Sequence, residues 1–379
     1  MNRYLNIDVR PGNIAIVIGE NGSGKSTLLN NLSRYYTFQG AYVIAIAIAN
    51  SIHDKFRNES RRFKLLSHKI GRKISLRTIK RALLNINEDD YIKMQQIGDI
   101  LLYVGYEPSI GVQVNLLKDV NDYILDDNDF LSDEDKYEIS TLIKEVKYLG
   151  LNDFTWIYLE DYDYINIKSQ TVMRLLRYES KLKKLGLISE IEIFLKKMPS
   201  PSKINLLDAS SGELAFITSL LFITTSITND SVILIDEPEN SLHPKWQKEY
   251  LTKLMDVFYY YQPAIICATH SPIIVSGAEL SEKSSLTVYK SDYTGVNELK
   301  VDSGNLEQML WEMFGVATPE NRFFSQLVMS KLNELAENEL TFNEVKYFLE
   351  SLKNEVYDQK QKDIVSASMK LAEEIERRK

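Results

Sequence analysis

The sequence predicts an α/β core, split by a helical insertion and followed by a helical C-terminal extension. Three observations carry this. The apolar stretch IAIVI (14–18) runs directly into GENGSGKST (19–27), and a helical pattern, KSTLLNNLSRYY, follows. Two more apolar runs, in SVILIDEPEN (231–240) and AIICATHSP (264–272), end in polar residues much later in the chain. Between them, from about 57 to 202, glycine is sparse and apolar residues recur at helical intervals. The expected division is a core of residues 1–56 and 203–300, a mainly helical insertion at 57–202, and a helical, charged extension at 301–379.

The first element is strand, loop and helix in order. Gly19, four residues, then Gly24, Lys25 and Ser26 match the P-loop spacing. Glycines at 19, 22 and 24 let the backbone turn its N–H groups toward phosphate oxygens, and a helix beginning near Lys25 adds a partial positive charge. Gly19, Asn21, Gly22, Ser23, Gly24, Lys25, Ser26 and Thr27 are therefore candidate nucleotide-binding residues. Lys25 reaches the β- and γ-phosphates, and the Ser26 hydroxyl is a candidate Mg²⁺ ligand. The expected cofactors are ATP and Mg²⁺.

Bulk composition narrows the setting. The chain has 379 residues, 44% of them hydrophobic, enough for a core and more than one subdomain. A net charge of −8 argues against binding nucleic acid through overall charge. A single cysteine, Cys267, excludes a disulfide framework and suits a reducing cytoplasm. The start, MNRYLNIDVRPGN, lacks the apolar segment of a secretory signal. The longest apolar run, AYVIAIAIA (41–49), is too short to span a bilayer and reads as a buried strand. A cytoplasmic protein with no membrane segment is expected.

The later strands supply the partners of the loop. Asp236, ending its strand, can hold the hydration shell of the metal. Glu237 next to it can orient or deprotonate an attacking water. His270, at the end of a strand expected in the same sheet, can touch the γ-phosphate. After the strand VIAIAIA, Asn50 can ligate Mg²⁺ through its amide oxygen or be an ordinary polar turn residue. Ser210, Ser211, Gly212 and Glu213, in LLDASSGELAF (206–216), open a helix and form a second anion site. One γ-phosphate needs only one such site from its own chain. Two copies arranged head to tail use both, each helix closing over the nucleotide in the other's P-loop, so a homodimer or higher homo-oligomer is expected.

The series of P-loop, ASSGE, ILIDEP and ATHSP resembles the ATP-binding-cassette ATPase head. ASSGE is similar to the signature motif and His270 to the switch histidine. Within that class, SSGE and DEPENSLHP resemble the soluble SMC-like and OLD-like ATPases. A transporter subunit usually carries a D-loop such as SALD, where this chain has Ser241, Leu242, His243 and Pro244. VIAIAIANSIHDKF, LGLISEIEIFLKK followed by LLDASSGE, and LEQMLWEMFGVATPENRFFS (306–325) are similar to the PtuA ATPase subunits of Septu and retron–Septu anti-phage defence systems. That resemblance implies an ATPase, with slow turnover, that assembles with and controls a separate HNH-type nuclease. The residues after 300 are too few and too helical for the fused TOPRIM domain of an OLD nuclease. The four histidines (53, 68, 243, 270) are scattered, which argues against a nuclease site in this chain. The alternative is an SMC-like repair ATPase acting on DNA directly, which would carry a long coiled-coil arm.

One segment inverts the overall charge. RNESRRFKLLSHKIGRKISLRTIKR (57–81) carries ten lysines and arginines, Arg57 to Arg81, against Glu59 alone. It is either a contact for DNA or a retron RNA–DNA hybrid, or a solvated face or dock for the acidic run at 119–138.

Overall fold

The computed structural model describes residues 7, 9–38, 43–51, 54–67, 71, 73–85, 91–117, 131–151, 154–159, 167–199, 202–240, 242–279, 285–292, 295–299, 322–355 and 359–378. The first elements are β1 (Ile14–Ile18), α1 (Lys25–Phe38), β2 (Ile44–Ala49), β3 (Phe63–Ser67), α2 (Lys73–Leu84) and α3 (Tyr91–Val104). Next come β4 (Ser109–Leu116), α4 (Asp133–Tyr148), β5 (Thr155–Tyr158), α5 (Ile167–Lys184), β6 (Ile188–Lys197) and β7 (Ser202–Asn205). They are followed by α6 (Ser211–Thr224), β8 (Ser231–Asp236), α7 (Pro244–Val257), β9 (Ala264–Ala268), α8 (Pro272–Glu279), β10 (Leu286–Asp292) and β11 (Gly295–Leu299). Three helices end the chain: α9 (Arg322–Ala336), α10 (Phe342–Glu355) and α11 (Gln359–Arg378).

The central sheet has the order β11-β10-β1-β9-β8-β2-β3, and every neighbouring pair is parallel except β10 with β11. A parallel sheet covered on both faces needs strands that are apolar throughout, which explains the unbroken IAIVI and IAIAIA. Alternate residues enter two separate cores. Ala15, Val17, Ala45, Ala47, Ala49 and Val232 pack with Leu28, Leu29 and Leu32 of α1. Ile14, Ile16, Ile46, Ile48 and Ile233 face the larger core shared with α6, α7 and α8. The three alanines of β2 leave room for α1 to lie close to the sheet, while isoleucines fill the opposite side.

The insertion is not purely helical, and the core sheet does not stop at residue 56. β3 pairs in parallel with β2, Ala45 opposite Phe63 and Ala49 opposite Ser67, so the sheet's outer strand lies beyond that boundary. A second sheet, antiparallel in the order β5-β4-β6-β7, joins the insertion helices. The segment LGLISEIEIFLKK, expected to continue a helix, forms most of β6. Gly186, at φ 66, ends α5, and from there Ile191, Ile193 and Leu195 alternate inward at a two-residue period. The helical reading failed because it ran through Gly186, which ends the helix before the alternating EIEIF begins.

α4 follows the sequence closely. Ser132 caps it in a reciprocal box with Asp135, and three acids stand in its first turn. α6 is buried on every side and packs against α2 and α3, with Phe216 against Tyr103, Trp246 and Tyr250. α9, α10 and α11 close a small core of their own around Val328, Leu332, Leu335, Val345, Leu349, Leu352, Val365 and Ala372. The PtuA-like stretch at 306–325 lies almost entirely outside the described residues.

Candidate active site

The strand order sets the site. β1, β9, β8 and β2 are consecutive neighbours and parallel, so the residues after their C-terminal ends leave the sheet along one edge. Those residues are the Gly19 loop, Thr269–His270, Glu237 and Asn50. A sequence separation of more than 200 residues becomes a row of adjacent strand ends.

The loop has the conformation its glycines allow. Gly19, at φ 155, lies so close to the next strand that a Cβ would sit 2.3 Å from the Ser291 carbonyl oxygen and 2.7 Å from Ser23 Oγ. Gly22 and Gly24 hold φ values of 85° and 97°. Lys25 opens α1 and folds its side chain back over the loop, with Nζ donating to the carbonyls of Gly19 at 2.8 Å and Glu20 at 2.9 Å. Only 5% of Lys25 is exposed. Burial lowers its pKa, while the charges of Glu237, Asp236 and Glu239 act to raise it. Asn21 and Thr27 are exposed and Ser26 is half-buried.

Asp236 ends β8 with 1% exposure, opposite Ala49 of β2. Asn50, one residue further, donates its backbone N–H to the Asp236 carbonyl at 3.2 Å. Both carboxylate oxygens of Asp236 and Oδ1 of Asn50 are buried without a hydrogen-bond partner of ordinary geometry among the described residues. Burial pushes the Asp236 carboxyl up to about 6, with the Ser26 hydroxyl and the Lys25 ammonium pulling it down. Buried, unpartnered oxygens are costly unless something satisfies them. A divalent cation with its waters, beside a Ser26 hydroxyl and phosphate oxygens, suits this donor set, because Mg²⁺ favours a few oxygen ligands over a closed protein cage. ATP and Mg²⁺ fit the residues present.

Glu237 has φ 52, in the left-handed region where a non-glycine residue is strained. Its backbone N–H is held by the Ala268 carbonyl at 2.9 Å. Oε2 accepts from Asn240 Nδ2 at 3.0 Å, and Oε1 lies 3.6 Å from His270 Nε2. The pKa of His270 is lowered, first by burial and then by the Lys25 charge, with Glu237 opposing both. The imidazole is therefore neutral near pH 7 and faces the carboxylate across a gap wider than a hydrogen bond.

Sequence reasoning assigned no role to Glu239. Its Oε1 accepts the backbone N–H of His270 at 2.6 Å and its Oε2 accepts the Thr269 hydroxyl at 2.8 Å. Burial raises its pKa. The only sequence signal was a third acid in DEPE, which a charged turn explains equally well.

The Ser210–Glu213 segment is built differently. Ser210 caps α6, its hydroxyl accepting from the Glu213 N–H at 3.2 Å while Glu213 Oε2 accepts from the Ser210 N–H at 3.1 Å. Ser210 and Ser211 are exposed and Gly212 is buried. Glu213 is turned away from solvent toward Tyr106 and Lys197, so its carboxylate supports the cap and does not face the exposed helix end. Among the described residues, no side-chain hydrogen bond or ion pair joins this segment to the Lys25–Asp236–His270 group.

In the expected D-loop, Ser241 lies outside the described residues. His243 caps α7 through Nδ1, and Pro244 is its first residue. The basic run divides. Lys80 is buried against Glu179 at 2.7 Å. Lys73, Arg77 and Arg81 recur every four residues and are exposed along α2. His53, His68, Lys69, Arg72 and residues 119–130 of the acidic run lie outside the described residues. Within its described part, Asp135 pairs with Lys181 and Glu138 with Arg174, both on α5 and outside the basic run.

Two family models match the chain. One, described as "ABC transporter", covers residues 3–154 and so contains the P-loop. The other, described as "AAA domain, putative AbiEii toxin, Type IV TA system", covers residues 107–276 and contains the ASSGE, Asp236–Glu237 and His270 segments. A solved structure described as "An inward-facing conformation of a putative metal-chelate type ABC transporter" is similar at 15% identity over 83% of each chain, with a TM-score of 0.32. No helix among the described residues is long and apolar enough to cross a membrane. With the sheet order and the P-loop, the two matches identify the core as a P-loop ATPase domain of ABC/AAA type.

Proposed function

We propose that this chain binds and hydrolyses ATP with Mg²⁺ as one of a head-to-tail pair, and that the pair controls a separate HNH-type nuclease in an anti-phage defence complex in the cytoplasm. The observation that carries the ATPase reading is the row of strand ends where Asp236 and Asn50 present buried, unpartnered oxygens beside Lys25. When bound, Mg²⁺ supplies charge neutralisation across the phosphates.

The chain's own residues then divide the work. Lys25 exchanges its carbonyl partners for phosphate oxygens. Ser26, Asp236 and Asn50 hold the metal side. Glu237 Oε1 takes the proton of the attacking water, and Oε2 stays fixed by Asn240. His270 donates toward the γ-phosphate from Nε2, the ring nitrogen that has no hydrogen-bond partner of ordinary geometry among the described residues. Ser210, Ser211 and Gly212 present a capped, exposed helix end to the nucleotide of a second copy. ATP favours the paired state because it contacts both copies at once.

The defence role and the nuclease partner follow from the motif resemblance. A second reading, direct action on DNA, draws on the exposed stripe Lys73–Arg77–Arg81. The test is co-purification of the tagged chain, expressed with its native gene neighbours, as wild type and as Glu237→Gln. A nuclease subunit retained with the chain supports control in trans. A chain that purifies alone and binds DNA through 57–81 as an ATP-dependent dimer overturns that in favour of direct action.

A further inference from the structure

A capping-box glutamate at the third helical position ordinarily stands at the solvent edge and needs only its reciprocal bond to the cap. Glu213 does not. It is 9% exposed and collects donors from three separate segments. Oε2 accepts the Ser210 backbone N–H at 3.1 Å and the Tyr106 hydroxyl at 2.7 Å, and Oε1 accepts the Lys197 ammonium. Tyr106 is fully buried and forms an isolated antiparallel bridge with Lys197, whose ammonium also lies 4.9 Å from the Tyr106 ring. Lys197 ends β6, and Tyr106 stands between α3 and β4. Both donors therefore come from the second sheet and its approach, neither from the nucleotide core.

An ionised carboxylate withdrawn from water is stable only with its lone pairs occupied. Here the second sheet occupies them. The result is a held cap: the Ser210 N–H, its hydroxyl acceptor and the Glu213 N–H are committed within the box, while the Ser210 hydroxyl proton and the N–H groups of Ser211 and Gly212 are left outside it. We propose that Tyr106 and Lys197 are positioning residues for the Ser210–Gly212 anion site, through which the insertion sets how well one copy closes over the other's nucleotide. This rests on the head-to-tail reading above and names the elements that tune it.

The test uses the full chain carrying Glu237→Gln, so that bound ATP is retained. Light scattering gives the ATP concentration for half-maximal pairing. Fluorescent-ATP titration, at chain concentrations too low for pairing, gives one-site affinity. Adding Lys197→Met or Tyr106→Phe raises the ATP needed for pairing about tenfold, the scale of one hydrogen bond to a charged group, and leaves one-site affinity unchanged. Lys197→Arg restores pairing. Unchanged pairing in both variants overturns the inference. So does a parallel loss of one-site affinity, which would mean general loosening of the fold. If Glu237→Gln alone stays monomeric in ATP, the head-to-tail reading itself falls and takes this inference with it.

Discussion

Glu239 holds His270 by its backbone: Oε1 accepts the His270 N–H at 2.6 Å while Oε2 takes the neighbouring Thr269 hydroxyl at 2.8 Å. One half-buried carboxylate thus fixes the turn that carries the histidine facing Glu237. Replacing it by alanine leaves the His270 N–H and the Thr269 hydroxyl proton without this acceptor and loosens the turn. Glu239→Ala is expected to lower kcat for ATP hydrolysis by about tenfold or more, with nucleotide affinity retained. Steady-state hydrolysis combined with equilibrium ATP binding separates the two effects. Loss of binding in step with kcat would place Glu239 in the phosphate site itself.

Glu237 and Lys25 are expected to fail differently. Glu237→Gln keeps the shape of the side chain and its contact with Asn240 but cannot take a proton. It should bind ATP normally and lose about 10²- to 10⁴-fold in kcat. Lys25→Ala removes the ammonium that the loop is folded around and should lose ATP binding first. Isothermal titration beside phosphate release distinguishes these, and equal affinities for the two variants would contradict the assignment.

Asp236 and Asn50 are expected to share the metal side. Chelation with EDTA should abolish hydrolysis by the wild type. Asn50→Ala should raise the Mg²⁺ concentration for half-maximal activity while leaving kcat at saturating Mg²⁺ close to normal. A Mg²⁺ dependence identical to wild type would return Asn50 to an ordinary turn residue.

The Glu213 cluster gives a pH signature. Burial alone would raise its pKa, but Lys197, Tyr106 and the Ser210 N–H together hold it below the ordinary glutamate value of 4.5. A depressed acid contributes stability above its unfolded pKa and loses it as pH falls through the folded value. The melting-temperature gap between wild type and Glu213→Gln should be largest near neutral pH and close at pH values below 4.5. A gap that widens with acid would refute the ion pair as its source.

The narrow face of the sheet is open to test through β2. Ala47 is fully buried between its neighbours and α1. Ala47→Leu adds volume where the helix lies closest and should destabilise by about 1–3 kcal/mol, read by denaturant unfolding. Ile46→Leu, on the opposite face, keeps its volume and should cost less.

The chemistry along the strand ends was legible because each piece is local. A P-loop needs its glycines, lysine and serine contiguous, and a strand ending in Asp236–Glu237 shows its role within ten residues. ASSGE likewise shows a capped helix start, since a capping box is written in four consecutive positions. Local rules misled at the join of α5 and β6, where the helical pattern was carried past Gly186 into EIEIF, which the pairing with β4 makes a strand. They were also silent about the outer strand, because FKLLS is too short to declare a partner without β2 beside it.

What remained for the tertiary structure was every relation between distant residues. Only the order β1-β9-β8-β2 puts Lys25, His270, Asp236 and Asn50 at one edge of one sheet. Only packing withdraws Glu239 and Glu213 from water, and it is that withdrawal which turns an ordinary acid in a charged turn into a clamp on His270 or on a helix cap. A carboxylate's identity is written in the sequence. Its partners and its cost of burial depend on what the fold brings within three ångströms of it, and that distance is set by chain segments up to about a hundred residues away in the case of Tyr106 and Glu213.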